Sequence, residues 1–359
     1  MYTIFLMDRK SSTRSLSVVR YKARYGWQSI PFRRLKYFLQ HSYTKLFNRM
    51  TSCIVNEENL QLCRGNCSMR TYVEMKKYRT WRKIVMKILV TGANGYLGTG
   101  IVRELLNKGH QVISSDISLA HVDERSEKKE CNLFEIQKPY EYFGHPDVLL
   151  HLAWRDGFVH YSNAHIEDIP KHFTFIKDFT DAGCKHICVM GSMHEIGFFE
   201  GSINENTPCH PTTPYGIAKN ALRDLTEMLC KQSNAVFQWL RGYYIVGNSK
   251  YGSSIFSKIT AAVEEGKKEF PFTLGQNQYD FIDYQDFCIQ VAEAICQNKE
   301  QGIINICSGR PEKLADRVER FINENNYDIK LQYGVFPDRP YDSKAIWGDN
   351  TKISKILNN

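Results

Sequence analysis

From Met86 onward the apolar positions fall into runs whose period alternates between strand-like and helical. Residues 88–90 are a short, continuous apolar run. Leu97, Ile101, Val102, Leu105 and Leu106 then recur at helical spacing, and Gly109 closes the segment. Residues 111–115 read as the next strand. Further buried strands are expected at 147–152, 186–190 and 235–240, with a helix over roughly 167–182 on the face of Phe173, Ile176 and Phe179. Pro214 opens another helix that continues through Leu222, Leu225 and Leu229. Strands alternating with helices predict an α/β chain with a doubly wound parallel sheet. Ligands in that architecture sit at the carboxyl ends of strands, and Gly92, Asp116, Ala153, Ser192 and Arg241 each follow one.

Composition narrows the picture. With 42% hydrophobic and 13% aromatic residues, a chain of 359 residues can bury a sizeable core. No apolar run approaches the ~18–20 residues of a membrane-spanning helix, so no membrane association is expected. The net charge of +8 is uneven: residues 1–85 hold 18 Lys/Arg against four acids, and residues 86–359 hold 29 against 35. The larger part is therefore mildly acidic and carries no bias towards nucleic acid. Eleven cysteines lack any framework, and most lie inside apolar patterns, as free buried thiols of a reducing, cytoplasmic compartment do. Cys63 and Cys67 form a lone CxxxC, short of the four ligands of a zinc site. Residues 1–85 show no clean period. They read as a basic arm, as an Arg- and Ser-rich transit segment, or as sequence upstream of a true start at Met86. The last is favoured, because a complete nucleotide-binding pattern begins at Met86.

That pattern is Thr91-Gly92-Ala93-Asn94-Gly95-Tyr96-Leu97-Gly98, placed between a strand and a helix. Glycines let the backbone approach a pyrophosphate, and the helix N-terminus directs N–H donors at it. Asp116 ends the following strand, 24 residues past Gly92. A carboxylate there accepts hydrogen bonds from adenosine ribose hydroxyls and repels a 2′-phosphate, which favours NAD over NADP. Tyr215 and Lys219 stand four apart on one helical face. The spacing alone is weak, since Tyr72 and Lys76 repeat it without context. Ser192 strengthens it, following a strand 23 residues earlier.

Together with His151-Leu152-Ala153 and Gly302-Ile303-Ile304-Asn305-Ile306, these residues resemble the extended short-chain dehydrogenase/reductases, the NAD-dependent epimerase/dehydratase family. The resemblance runs from Met86 to about Leu357. It implies a Rossmann domain over 86–245 that binds cofactor through Gly92, Asn94, Gly95, Tyr96, Leu97, Gly98, Asp116, Ala153, Tyr215 and Lys219. It also implies a smaller C-terminal substrate-binding lobe over 246–359 with chain returns to the core, and a homodimer formed through two helices. Tyr215 would be the acid/base, Lys219 the ligand of the nicotinamide ribose, and Ser192 the hydrogen-bond partner of the reacting oxygen. A free tyrosine titrates near ~10, and bringing it to ~7 takes about 4 kcal/mol. An ammonium ~4 Å away at an effective dielectric of ~20 supplies about that much as an upper figure.

Departures from the family pattern shape the expected chemistry. Sugar-nucleotide dehydratases carry Asp-Glu directly after the Ser/Thr position, where this chain has Met193 and His194. Methionine moves no proton, so water elimination is disfavoured; Glu195 is displaced by one position. His194 could orient substrate. Tyr244 stands where relatives place a substrate-contacting Asn, and Arg310 with Arg339 could clamp a diphosphate. The expected activity is an NAD(P)-dependent oxidoreductase acting on a nucleotide-activated sugar, through C4 keto reduction of a 6-deoxyhexose. A nucleotide-sugar epimerase with tightly held NAD and a non-catalytic dinucleotide-binding protein are the alternatives. No metal is required.

Overall fold

The computed structural model describes residues 18–23, 26–31, 85–247, 254–337 and 343–358. The chain divides into two units, Met1–Lys83 and Ile84–Asn359. In the first, Val18–Ala23 pairs antiparallel with Gly26–Pro31. The rest of the basic extension, with the Cys63/Cys67 pair and Tyr72/Lys76, lies outside the described residues.

The second unit is organised by a seven-stranded parallel sheet in the order Gly302–Ile306, Val236–Gly242, His186–Ser192, Val148–His151, Lys87–Thr91, Gln111–Asp116, Glu127–Glu130. The doubly wound α/β fold expected from the alternating pattern is thus present. Its inner strands are largely apolar because both faces are covered, with a few buried polar residues such as Gln238 and Arg241 among them. Alternate side chains feed two separate cores. Ile88, Val90, Val148, Leu150, Cys188, Met190 and Leu240 face the Tyr96–Asn107, Tyr284–Ile295 and Thr351–Leu357 helices. Leu89, Leu149, Ile187, Val189 and Trp239 face the Ile169–Asp181 and Pro214–Ser233 helices.

Two sheet members gave no apolar signal of their own or came from beyond the expected nucleotide-binding half. Glu127–Glu130 is the sequence EKKE, and it sits on the sheet edge, where charged side chains stay in water and discourage further pairing. Gly302–Ile306 returns from the C-terminal region to form the opposite edge. The helix expected over roughly 167–182 is Ile169–Asp181, which starts with a proline in its first turn after a separate short turn, Ala164–Glu167. Proline lacks the N–H that a continuous helix would use there.

A smaller layer stands beyond the carboxyl ends of the main strands. It contains Tyr244–Val246, Gln278–Asp283, Ala345–Gly348 and Gly201–Ile203, with Pro311–Lys313 antiparallel on Gln278–Asp283. Val246, Phe256, Ile259, Phe272, Phe281, Val318 and Phe321 form its apolar core with the Ile255–Glu264 and Leu314–Glu324 helices.

Candidate active site

The turn after Lys87–Thr91 is built for close backbone approach. Gly92 has φ +69°, and a Cβ there would stand 2.7 Å from the Ala153 nitrogen. A Cβ on Gly98 would stand 2.3 Å from the Gly92 carbonyl oxygen. The Tyr96–Asn107 helix is capped by Gly95 without any side-chain hydrogen bond, and no acid occupies its first turn. Its terminal N–H groups and dipole are therefore free of an internal anion. Asp116 lies beside this turn: Oδ2 accepts from the Asn94 N–H (3.0 Å) and Oδ1 from the Ile117 N–H (2.8 Å). The Asn94 Oδ1 accepts from the His121 N–H at 2.8 Å. Leu97 packs on the first core. The Tyr284 hydroxyl donates to the Tyr96 carbonyl at 2.5 Å, and the two rings are 4.6 Å apart. These residues fit a dinucleotide: a side-chain-free cradle for the pyrophosphate and a strand-end carboxylate for the ribose.

Ser192 ends the strand His186–Ser192, third from the Gly302–Ile306 edge, and caps the turn Met193–Glu195. The next helix begins against that turn, because Gly216 has no Cβ; one would meet the His194 carbonyl oxygen at 2.4 Å. Thr213 caps the helix by accepting from the Gly216 N–H at 3.2 Å. The effect is to seat Tyr215 over Ser192. A hydrogen bond from Ser192 acts to lower the phenol, but burial dominates and the Glu195 charge adds to it, so Tyr215 is pushed up to about 12. Lys219 is buried, donates to the Met190 carbonyl at 2.9 Å, and is pushed down to about 7 by burial against the upward pull of Glu195.

This differs from the expected acidification of the phenol by its neighbour. The Lys219 Nζ is 5.9 Å from the Tyr215 ring centroid and only 3.7 Å from that of Trp154. Desolvation of the phenolate outweighs the hydrogen bond from Ser192. Tyr215 is therefore a protonated acid at neutral pH.

Glu195 takes no part as a displaced elimination acid. It is fully buried, with Oε1 accepting from the Ser192 N–H (2.5 Å) and the Trp239 indole (2.8 Å). Oε2 pairs with the buried Arg241 at 3.3 Å, and Arg223 stands 3.8 Å away. Both carboxylate oxygens are thus engaged inside the protein, and Arg241, near the carboxyl end of the strand Val236–Gly242, is held by Glu195. This node braces the Ser192 turn.

Rings crowd around Tyr215. His160 stacks on it at 4.9 Å with planes 10° apart, and its carbonyl accepts from the Tyr215 N–H at 3.1 Å. His194 stands edge-on to His160 at 4.4 Å and 6.0 Å from the Tyr215 ring. His165 lies 5.2 Å and Trp154 6.2 Å from that ring. Burial lowers His160, and it lowers His194 to about 4, with the neighbouring imidazole adding repulsion in each case. Both are neutral donors and acceptors near pH 7. His160, His165 and Trp154 were not singled out as site residues from sequence. The signal available was their place in the loop that leaves the strand ending at His151, a strand end in a fold whose ligands bind at strand ends.

The structure thus gathers Ser192, His194, Tyr215 and Lys219, with Ala153 and the glycine turn adjoining them. Tyr244 packs at a tilt against Tyr279 (4.7 Å) and Phe281 (5.8 Å) in the smaller layer. Arg310 is exposed on the turn that Asp280 organises through the Ser308 and Gly309 N–H groups. Arg339 lies outside the described residues.

A doubly wound sheet, a glycine cradle and a strand-end aspartate define a dinucleotide-binding protein of the extended short-chain dehydrogenase/reductase architecture. The chain belongs to the NAD dependent epimerase/dehydratase family, whose sequence pattern matches residues 88–307. It is 41% identical over 278 residues to the dTDP-6-deoxy-L-talose 4-dehydrogenase (NAD(+)) of Aggregatibacter actinomycetemcomitans, spanning 73% of this chain and 99% of that protein. Among solved structures it is similar to a UDP-N-acetylglucosamine 4-epimerase from Methanobrevibacter ruminantium M1, with a TM-score of 0.66 at 18% identity over 76% of this chain and 92% of that one. The dTDP-glucose 4,6-dehydratase from Streptomyces venezuelae, solved with NAD, gives a TM-score of 0.62 at 18% identity over 75% and 90% of the two chains. These two likenesses speak to the fold.

Proposed function

We propose that this protein is an NAD-dependent oxidoreductase acting at C4 of a nucleotide-activated 6-deoxyhexose, interconverting the 4-keto and 4-hydroxy sugars. The observation that carries the reading is the 41% identity to a dTDP-6-deoxy-L-talose 4-dehydrogenase along 99% of that enzyme. The site supports it. Bound nicotinamide supplies or accepts the hydride at C4. Tyr215, protonated at neutral pH, gives its proton to the keto oxygen in reduction and takes it back in oxidation. Ser192 hydrogen-bonds the same oxygen, and its turn is braced by Glu195. Lys219 holds the nicotinamide ribose. The Asp116 carboxylate favours NAD over NADP, since a 2′-phosphate beside it would meet like charge. His194 and His160, both neutral, line the sugar side as hydrogen-bonding groups. Met193, buried in the place of a dehydratase acid, leaves elimination without its proton donor.

The same reading gives residues 86–245 the cofactor, the smaller layer the sugar nucleotide, and residues 1–85 no part in the reaction. It takes the protein as a homodimer packed through the Ile169–Asp181 and Pro214–Ser233 helices, the second of which exposes Ile217 and Met228. A cytoplasmic setting suits the free thiols among the described residues, where no helix is long and apolar enough to cross a membrane.

The test is a panel of dTDP- and UDP-linked 4-keto-6-deoxy sugars with NADH and with NADPH, followed by nicotinamide absorbance. Consumption of NADH with a dTDP-linked ketone is expected. Absence of turnover across the panel would overturn the reading, and copurifying NAD that exchanges C4 configuration without net oxidation would replace it with the epimerase.

A further inference from the structure

The Lys219 amine is 3% exposed, and the geometry around it is unusual for a buried basic group. Its Nζ has one carbonyl partner, Met190, at 2.9 Å. Glu195 acts on it at longer range while committed to Arg241 and Trp239. The nearest large group is instead the face of Trp154, whose ring centroid is 3.7 Å from Nζ. A cation over an indole face is attracted by the ring quadrupole, and more strongly when water is excluded.

Trp154 is itself locked. Its indole N–H donates to His165 Nδ1 at 3.0 Å, and His165 Nε2 donates to the Val159 carbonyl at 2.9 Å, which fixes the imidazole as the Nε2–H tautomer. His172 stacks on the indole at 4.6 Å with planes 10° apart. His172 Nδ1 in turn lies 2.8 Å from His151 Nε2, and His151 Nδ1 lies 2.8 Å from the Thr91 hydroxyl at the glycine turn. One connected set therefore joins the cofactor turn, the indole and the ammonium.

We propose that Trp154 is a positioning residue for Lys219, its indole face standing where a carboxylate would otherwise be needed to hold a buried ammonium beside Tyr215. This rests on the reading that Lys219 serves the nicotinamide ribose. The titratable groups facing Lys219 come from several elements: Tyr215 from its own helix, Glu195 from the turn after Ser192, His151 from the strand Val148–His151, and His172 from the helix Ile169–Asp181. Both histidines are held neutral by burial, so the indole, the Met190 carbonyl and distant Glu195 are what favour the charged amine.

The experiment measures NADH affinity of the full chain against pH, by directly excited nicotinamide fluorescence, for the wild type, Lys219→Met, Trp154→Leu and Trp154→Phe. Wild-type affinity is expected to fall as pH rises through the Lys219 titration, because the charged donor is lost. Lys219→Met should abolish that dependence. Trp154→Leu should move its midpoint down by about one pH unit, and Trp154→Phe, which keeps a weaker ring face, by roughly half as much. A midpoint in Trp154→Leu equal to the wild type, or equal shifts in the Leu and Phe variants, overturns the role of the indole while leaving Lys219 on the cofactor. A pH dependence surviving in Lys219→Met removes Lys219 from the ribose, and the proposal with it. Should the Leu variant not fold, an unshifted Trp154→Phe midpoint overturns it alone.

Discussion

Glu195→Gln is the most informative single change to the scaffold under the site. The carboxylate is fully buried and takes donors on both oxygens: the Ser192 N–H at 2.5 Å and the Trp239 indole at 2.8 Å on one, Arg241 at 3.3 Å on the other. Glutamine keeps the shape but removes the charge and turns one acceptor into a donor. Arg241, with no exposed surface, would then keep a buried charge without its partner. Breaking one side of such a pair costs about 3–5 kcal/mol, because the survivor remains desolvated. A fold of this size loses roughly 2–4 °C of Tm per kcal/mol, so a drop of about 6–20 °C is expected by circular dichroism. The double change Glu195→Gln with Arg241→Met should recover much of the loss, since it deletes the orphaned charge. A Glu195→Gln Tm within about 1 °C of wild type, or a double variant less stable than the single one, would refute this account of the node.

Three further outcomes follow from the geometry. Tyr215→Phe should lower kcat by roughly 10²–10⁴-fold while leaving NADH affinity and Tm near wild type, and an undiminished kcat would remove Tyr215 from proton transfer. Asp116→Ser should raise kcat/KM for NADPH relative to NADH by roughly tenfold or more, as a like charge near the 2′-phosphate is deleted; an unchanged ratio counts against its place beside the ribose. His172 and His194 are lowered by burial to about 3 and about 4 from an ordinary value of 6.5, so the unfolded chain takes up protons that the folded chain refuses. Stability should be complete above about pH 6.5 and decline as pH falls towards 4, and equal urea midpoints at pH 7.5 and pH 5 would contradict it.

What could be read from the sequence was whatever is carried by local spacing. The continuous apolar runs at 88–90 and 186–190 announced inner strands because both sheet faces are covered, and every residue counts. Glu127–Glu130 could not be read this way: an edge strand needs no apolar face, and EKKE is what an exposed edge tolerates. The glycine turn, Asp116, Tyr215 and Lys219 were visible for the same reason as the inner strands, since a turn needing positive φ and a helix face four residues deep leave marks in consecutive sequence.

The interactions that set the state of those groups leave no such marks. Glu195 and Arg241 are 46 residues apart and meet only because the turn after one strand packs on its parallel neighbour. From sequence the acid stood only one place off the dehydratase position; in the fold, its charge is spent on Arg241, and what reaches Tyr215 is an unfavourable field that helps to keep the phenol protonated. Trp154 reaches Lys219 from another strand end altogether. A Tyr–Lys spacing therefore identifies the residues of a proton-transfer site but not their protonation. Here burial and the Glu195 charge push the Tyr215 phenol up, and burial pulls Lys219 down to about 7.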